Sequence, residues 1–222
     1  MSEKILELKN LSYRYTKSGK DIIKNLNMSF DSGKIYSITG KSGAGKTTLL
    51  SLLSGLAKPT DGQILFCGKD ISKINRYDYR RKLVGVIFQS FNLLPYLSAV
   101  ENVMLSMDVS GKKIKNKRET AIELLKKVSI EENDLDRGIL KLSGGQQQRV
   151  AIARALSYNP DIIFADEPTG NLDTETQSDI MAILRTLANE GKCVIIVTHS
   201  PDVANLSDTV YELKSGNSKT TS

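Results

Sequence analysis

The octapeptide GKSGAGKT, Gly40 to Thr47, holds the densest run of chemistry-bearing residues in the chain. It fits the pattern G-x-x-x-x-G-K-[ST], and that pattern has a physical basis. Gly40, Gly43 and Gly45 let the backbone fold tightly enough to aim its N–H groups inward. A helix starting at Lys46 adds the free amides and partial positive charge of its N-terminus. Lys41, Ser42 and Ala44 complete the loop, and Thr48 follows it. Such a cradle suits phosphate. Lys46 would reach the β- and γ-phosphates of a nucleoside triphosphate, and the Thr47 hydroxyl would ligate Mg²⁺.

Three further stretches extend this chemistry. In IIFADE, Ile162 to Glu167, an apolar strand delivers Asp166 to a metal, through water, because Mg²⁺ sheds its waters reluctantly. Glu167 adds a second carboxylate, placed to polarise the water that attacks a γ-phosphate. In LSGGQQQR, Leu142 to Arg149, Ser143 is a helix cap, and Gly144 and Gly145 leave the first amides open ahead of Gln146. That makes a second anion-binding helix start. One nucleotide has one set of phosphates, which the first loop already cradles. If the second site serves the same γ-phosphate, it comes from another copy of the protein. Finally, His199 is the only histidine among 222 residues. A lone histidine is commonly a surface or core residue. This one follows the apolar run CVIIVT, where a parallel strand would end beside a ligand crevice.

The elements that must position these residues follow an α/β rhythm. Strands are expected at ILELKNL near the start, and at 34–39, 63–66, 83–88, 161–165, 193–198 and 209–213. The runs at 161–165 and 193–198 are apolar almost throughout, as central parallel strands covered on both faces are. Helices are expected at Lys46–Leu56, at 117–128 with Ala121, Leu124, Leu125 and Val128 on one face, and at Gly144–Ser157. A further helix starts at a Thr174/Gln177 capping box and reaches about Asn189. The middle third, 90–158, lacks convincing strands and reads as an inserted helical lobe. The polar tail KSGNSKTTS reads as frayed. The basic run KKIKNKR, 112–118, reads as a solvated helix start, with contact to acidic lipid headgroups as the alternative. Segment 92–109, with Phe91, Leu93, Leu94, Tyr96 and Leu97, reads either as lobe core or as a docking surface.

Bulk properties set bounds. With 40% hydrophobic and 25% charged residues, the composition is that of an ordinary globular domain, and 222 residues allow a sizeable core. A net charge of +6 suits an anionic ligand, an anionic membrane or nucleic acid without choosing among them. Cys67 and Cys193 form no CxxC and read as reduced, buried residues of a cytosolic protein. The start MSEKILELKN has no signal-peptide shape, and no stretch approaches the ~20 apolar residues of a membrane span.

LSGGQ followed by QQRVAIARAL, upstream of IIFADE, resembles the signature of ABC transporter nucleotide-binding subunits. The resemblance covers nearly the whole chain, with every family motif in order. It implies a P-loop NTPase core with a mixed, mainly parallel sheet, an N-terminal antiparallel β subdomain and an inserted α-helical lobe. The whole chain, 1–222, would be one ABC ATPase domain: core and β subdomain at about 1–89 and 159–215, lobe at about 90–158, tail from about 215. The resemblance further implies that Tyr15 stacks on adenine, with Tyr13 the weaker candidate. Gln89 would join the Mg²⁺ shell and face a membrane partner. Asp173, in PTGNLD, would belong to the D-loop, and His199 would hydrogen-bond the γ-phosphate. Ser143, Gly144, Gly145 and Gln146 would act in trans on the ATP held by a second copy. Ala44 and Thr47 stand where serines are commonest in the family, and Asn171 where many members have Ala.

The resemblance therefore implies an ATPase with ATP and Mg²⁺ as cofactors. Its partners would be a second copy of itself and an integral-membrane permease, with no direct nucleic-acid binding. Its place would be the cytoplasmic face of the membrane, reached through the permease. PTGNLD and SFNLLPYLSAVENV are similar to the branch that serves macrolide export, lipoprotein release, cell division and bacitracin-type peptide resistance. The rival readings are a soluble ABC ATPase acting on nucleic acid or ribosomes, a regulator of cell-wall hydrolysis, and a non-catalytic nucleotide-regulated module.

Overall fold

The computed structural model describes residues 4–16, 19–214 and 217–221. A four-stranded antiparallel sheet in the order β2-β1-β4-β5 is built from β1 (Lys4–Tyr13), β2 (Ile23–Asp31), β4 (Asp61–Phe66) and β5 (Lys69–Asp70). A six-stranded sheet in the order β10-β9-β3-β8-β7-β6 is built from β3 (Ile35–Thr39), β6 (Val84–Ile87), β7 (Ile162–Asp166), β8 (Cys193–Val197), β9 (Thr209–Lys214) and β10 (Asn217–Thr221). Its ladders are parallel except for β10 on β9.

The helices are α1 (Lys46–Leu53), the one-turn α2 (Arg76–Asp78), α3 (Ala99–Ser110), α4 (Lys117–Lys127), α5 (Gly144–Leu156), α6 (Thr174–Asn189) and α7 (Pro201–Asn205). Helices α3, α4 and α5 all fall between β6 and β7, which pair directly in parallel. The helical segment is thus an insertion between two neighbouring strands.

Side chains alternate along a strand, so a central strand supplies two cores. Ile163 and Ala165 of β7, with Val194 and Ile196 of β8, join a core with α3 to α6. Ile162 and Phe164, with Cys193, Ile195 and Val197, join a second core with α1 and the antiparallel sheet. All of these side chains are buried. Complete burial on both faces explains why β7 and β8 read as unbroken apolar runs.

Several expectations need correction. Strand β2 was not anticipated: in IKNLNMSFD only Ile23, Leu26, Met28 and Phe30 are buried, with polar residues between them. Its pairing with β1 is shifted near Ile23 and Leu26, which spoils a clean two-residue alternation. Helix α1 stops at Leu53, not Leu56, because the chain turns through Gly55 at φ 72°. Helix α6 is capped by Asp173, whose carboxylate accepts from the Thr176 N–H, rather than by a Thr174/Gln177 box. Gln177 instead donates to the Leu172 carbonyl. Cys67 is exposed in a turn, while Cys193 is buried. Residues 217–221 of the expected frayed tail pair with β9; the remainder, 215–216 and 222, lies outside the described residues. In the basic run, Lys112 donates to the Tyr158 carbonyl, Lys117 pairs with Asp108 and Arg118 with Asp136. Those internal partners favour the solvated helix start. Segment 92–109 divides its roles: Val100, Val103 and Met107 are core, whereas Leu94, Tyr96 and Leu105 are exposed.

Candidate nucleotide-binding and hydrolysis site

The phosphate loop leaves β3 at Thr39 and enters α1 at Lys46. Gly40 has φ 151°, and a Cβ there would stand 2.5 Å from the Leu213 carbonyl oxygen, so only glycine fits. Gly45, the N-cap of α1, has φ 97° and supplies no side-chain cap. The first amides of α1 are therefore open to an anion. Lys46 is buried, and its ammonium donates to the Gly40 and Lys41 carbonyls at 2.9 and 3.2 Å. Burial pushes its pKa down, opposed by the charges of Glu167 and Asp166.

Asp166 ends β7, and Glu167 follows at φ 45°. Burial, then the neighbouring Glu167 charge, pushes the Asp166 carboxyl up, with Lys46 opposing. The Glu167 N–H donates to the Val197 carbonyl at 2.9 Å, tying the residue to the end of β8. Its Oε2 accepts from the Thr198 hydroxyl at 3.1 Å. Its Oε1 is buried without a hydrogen-bond partner among the described residues and lies 3.9 Å from His199 Nε2. His199 is about half exposed, at 54%.

These residues share one cleft of about 610 Å³. Of the expected site residues, Tyr15, Ser42, Gly43, Gly45, Lys46, Thr47, Thr48, Gln89, Asp166, Glu167 and His199 line it. Gly40, Lys41 and Ala44 belong to the loop but do not line the cleft. Tyr15 is 70% exposed, rests edge-on against Tyr13 and shares a 3.0 Å hydrogen bond with Thr48. Ser143, Gly144, Gly145, Gln146 and Asp173 stand apart from the cleft. Ser143 and Gln146 instead form a reciprocal capping box on α5. Ile22, Gly170 and Val197 also line the cleft and were not anticipated; nor was Thr198. Thr198 and Val197 were legible only as the end of a strand run, and Gly170 only as part of PTGNLD.

The donor set fits a hard, well-hydrated cation. One carboxylate (Asp166), one hydroxyl (Thr47) and one amide (Gln89) face the cleft, and no cluster of three or more His, Cys, Asp or Glu exists among the described residues. Mg²⁺ commonly takes one or two protein ligands and completes its shell with water and phosphate.

The family model for ABC transporters matches residues 23–170. The chain is 45% identical over 213 residues to the uncharacterized ABC transporter ATP-binding protein YclH of Bacillus subtilis, covering 96% of this chain and 94% of that one. This chain belongs to the ABC transporter family. As an ABC cassette it binds and hydrolyses ATP. It is also 40% identical to the macrolide export ATP-binding/permease protein MacB of Syntrophobacter fumaroxidans, over 96% of this chain but 31% of that longer protein. The structure superimposes on the dimeric MJ0796 cassette with a TM-score of 0.87 at 39% identity, covering 97% of each chain. A sequence relative of that name comes from Methanocaldococcus jannaschii. A second MJ0796 structure is a dimeric post-hydrolysis state bound to ADP and Pi.

Proposed function

We propose that this chain is a single ABC ATPase domain that powers a separate membrane permease, working as an ATP-sandwiched homodimer. The observation that carries the reading is the convergence of Lys46, Thr47, Gln89, Asp166, Glu167 and His199 on one cleft. Tyr15 offers its exposed ring to the adenine. The loop amides and Lys46 hold the phosphates. Thr47, Gln89 and Asp166 hold Mg²⁺, which when bound neutralises phosphate charge. Glu167 takes a proton from the attacking water through Oε1, and His199 donates a hydrogen bond to a γ-phosphate oxygen that gains charge.

The signature residues Ser143, Gly144, Gly145 and Gln146 stand outside the cleft of their own chain, and Ser143 and Gly144 are exposed. In this reading they close on the γ-phosphate of a second copy; the dimeric MJ0796 cassette supports an assembly of two copies. Hydrolysis removes the shared contacts and the dimer opens. Asp173, in the same stretch as Gly170, lies at the junction of the two copies.

No helix among the described residues is long and apolar enough to cross a membrane. The crossing in this reading belongs to the permease, which docks on the segment that follows Gln89 in sequence, where Leu94 and Tyr96 are exposed, the latter at 96%. In this reading the chain works at the cytoplasmic face of the membrane. Similarity to the macrolide exporter supports export or resistance as the task, with peptides, drugs or lipid-linked molecules as cargo.

The test is Glu167→Gln. Steady-state phosphate release should fall roughly 10²–10⁴-fold, the usual scale for losing a general base, while ATP-bound dimers accumulate. Unchanged turnover would remove Glu167 from the chemistry.

A further inference from the structure

We infer that Thr198 is a positioning residue for hydrolysis: its hydroxyl holds one oxygen of Glu167 and so presents the other to the attacking water. The inference rests on the reading of Glu167 as general base.

The hydrogen bonds fix the direction of the hydroxyl proton. Thr198 is completely buried at the end of β8, and its N–H donates to the Ile38 carbonyl at 3.2 Å, anchoring it to the end of β3. Its Oγ1 accepts from the Ser200 N–H at 3.0 Å. A hydroxyl carries one proton and two acceptor sites. With an acceptor site taken by Ser200, the proton is free for Glu167 Oε2, 3.1 Å away, and a carboxylate can only accept. Glu167 is thereby pinned at two points, its N–H on Val197 and its Oε2 on Thr198, both at the end of β8. The remaining oxygen, Oε1, has no hydrogen-bond partner among the described residues, although it is buried. A buried acceptor without a partner is rare and calls for an explanation, and service as the base once water and nucleotide fill the adjoining cleft supplies it.

The same short segment places the histidine. Thr198 precedes His199 and its hydroxyl receives the amide of Ser200, the N-cap of α7. One buried side chain therefore links the base to the backbone on both sides of His199. Such linkage matters because small displacements of a reacting group cost rate steeply.

Thr198→Val keeps the shape and deletes both the donor to Glu167 and the acceptor of the Ser200 N–H; Thr198→Ser keeps both. Steady-state ATPase should show kcat of the Val variant reduced about ten- to hundredfold, the scale for a hydrogen bond to a charged group. Its KM for ATP and its ATP-driven dimerisation should stay near wild type. Its melting temperature should fall by a few degrees because two buried groups lose a partner. The Ser variant should recover most of kcat and of the melting temperature. In single-turnover hydrolysis on a Glu167→Gln background, Thr198→Val should add nothing, because both changes disable one device. An unchanged kcat in the Val variant would overturn the inference. So would a Ser variant as slow as Val, a multiplicative loss on the Glu167→Gln background, or a loss shared by KM and dimerisation. If Glu167→Gln alone leaves turnover intact, it is the reading of Glu167 that fails, separately from Thr198.

Discussion

Glu167 occupies the left-handed backbone region, at φ 45°, without being glycine. That geometry costs an L-residue roughly 1–2 kcal/mol. It answers a geometric need: successive side chains of a strand point to opposite faces, yet Asp166 and Glu167 both line the cleft. Leaving the strand through a left-handed turn brings the second carboxylate round, and the bond from Glu167 N–H to Val197 holds it there. Two glycines test the surroundings differently. Gly40→Ala would set a Cβ 2.5 Å from the Leu213 carbonyl at a φ of 151°, so the loop itself must shift. At about 1–3 kcal/mol for such strain, ATP affinity should drop roughly tenfold or more in a fluorescent-nucleotide titration. Gly170→Ala would set a Cβ 3.2 Å from the Gln89 amide and 3.4 Å from Glu167 Cβ, away from the loop. It should slow turnover several-fold, about the scale of a small displacement of catalytic groups, while nucleotide affinity holds. A Gly170→Ala variant that loses binding instead would show that the two regions are not separable.

At the scale of elements, the site is the shared edge of three parallel strands, β3, β8 and β7, whose ends carry the loop, the histidine segment and the carboxylate pair. Helices fix the rest through their caps. Helix α3 has a full capping box: the Ser98 hydroxyl accepts from the Glu101 N–H, and the Glu101 carboxylate accepts from the Ser98 N–H. Ser98→Ala should cost about 1 kcal/mol, and so lower the melting temperature by about 2–4 °C. The bond from Ser98 N–H holds the Glu101 carboxyl below its ordinary pKa. Its contribution is full above the unfolded carboxylate pKa and is lost as pH falls through the lowered folded value. The difference in melting temperature between wild type and Glu101→Gln should therefore be full at neutral pH and shrink on the acid side. Much of this architecture was legible beforehand. Strands β7 and β8 declare themselves because both faces are buried, and GKSGAGKT because a phosphate loop tolerates few alternatives. Strand β2 hid because its exposed face is rich in Asn and Lys, and a register shift breaks its alternation. The cap of α6 was misplaced by one residue because Asp173 and Thr174 both suit an N-cap. Thr198 was invisible for a different reason. Its role lies in a bond spanning 31 positions of sequence, and no local pattern records it.

For the molecule as a whole, the observation that matters most is that the proposed second anion-binding helix start stands outside the cleft of its own chain. Ser143 and Gly144 are exposed, and neither lines the cleft that holds Lys46 and Glu167. Each copy carries a net charge of +6, so in the proposed sandwich two copies would repel until the phosphates of ATP were buried between them. Dimerisation should accordingly require nucleotide. On the Glu167→Gln background, size-exclusion chromatography should give monomer without nucleotide and dimer with Mg-ATP. Adding Ser143→Arg sets a bulky cation where the partner's phosphates would dock. It should abolish the dimer yet leave the ATP affinity of the single chain unchanged, because in cis nothing at Ser143 touches the cleft. Stabilisation follows by mass action. Nucleotide at about 100 times its Kd raises stability by about 2.7 kcal/mol per site, and only the dimer makes the melting temperature climb with protein concentration as well. The Ser143→Arg variant should keep the first effect and lose the second. A loss of both would mean that the signature helix acts on nucleotide within its own chain.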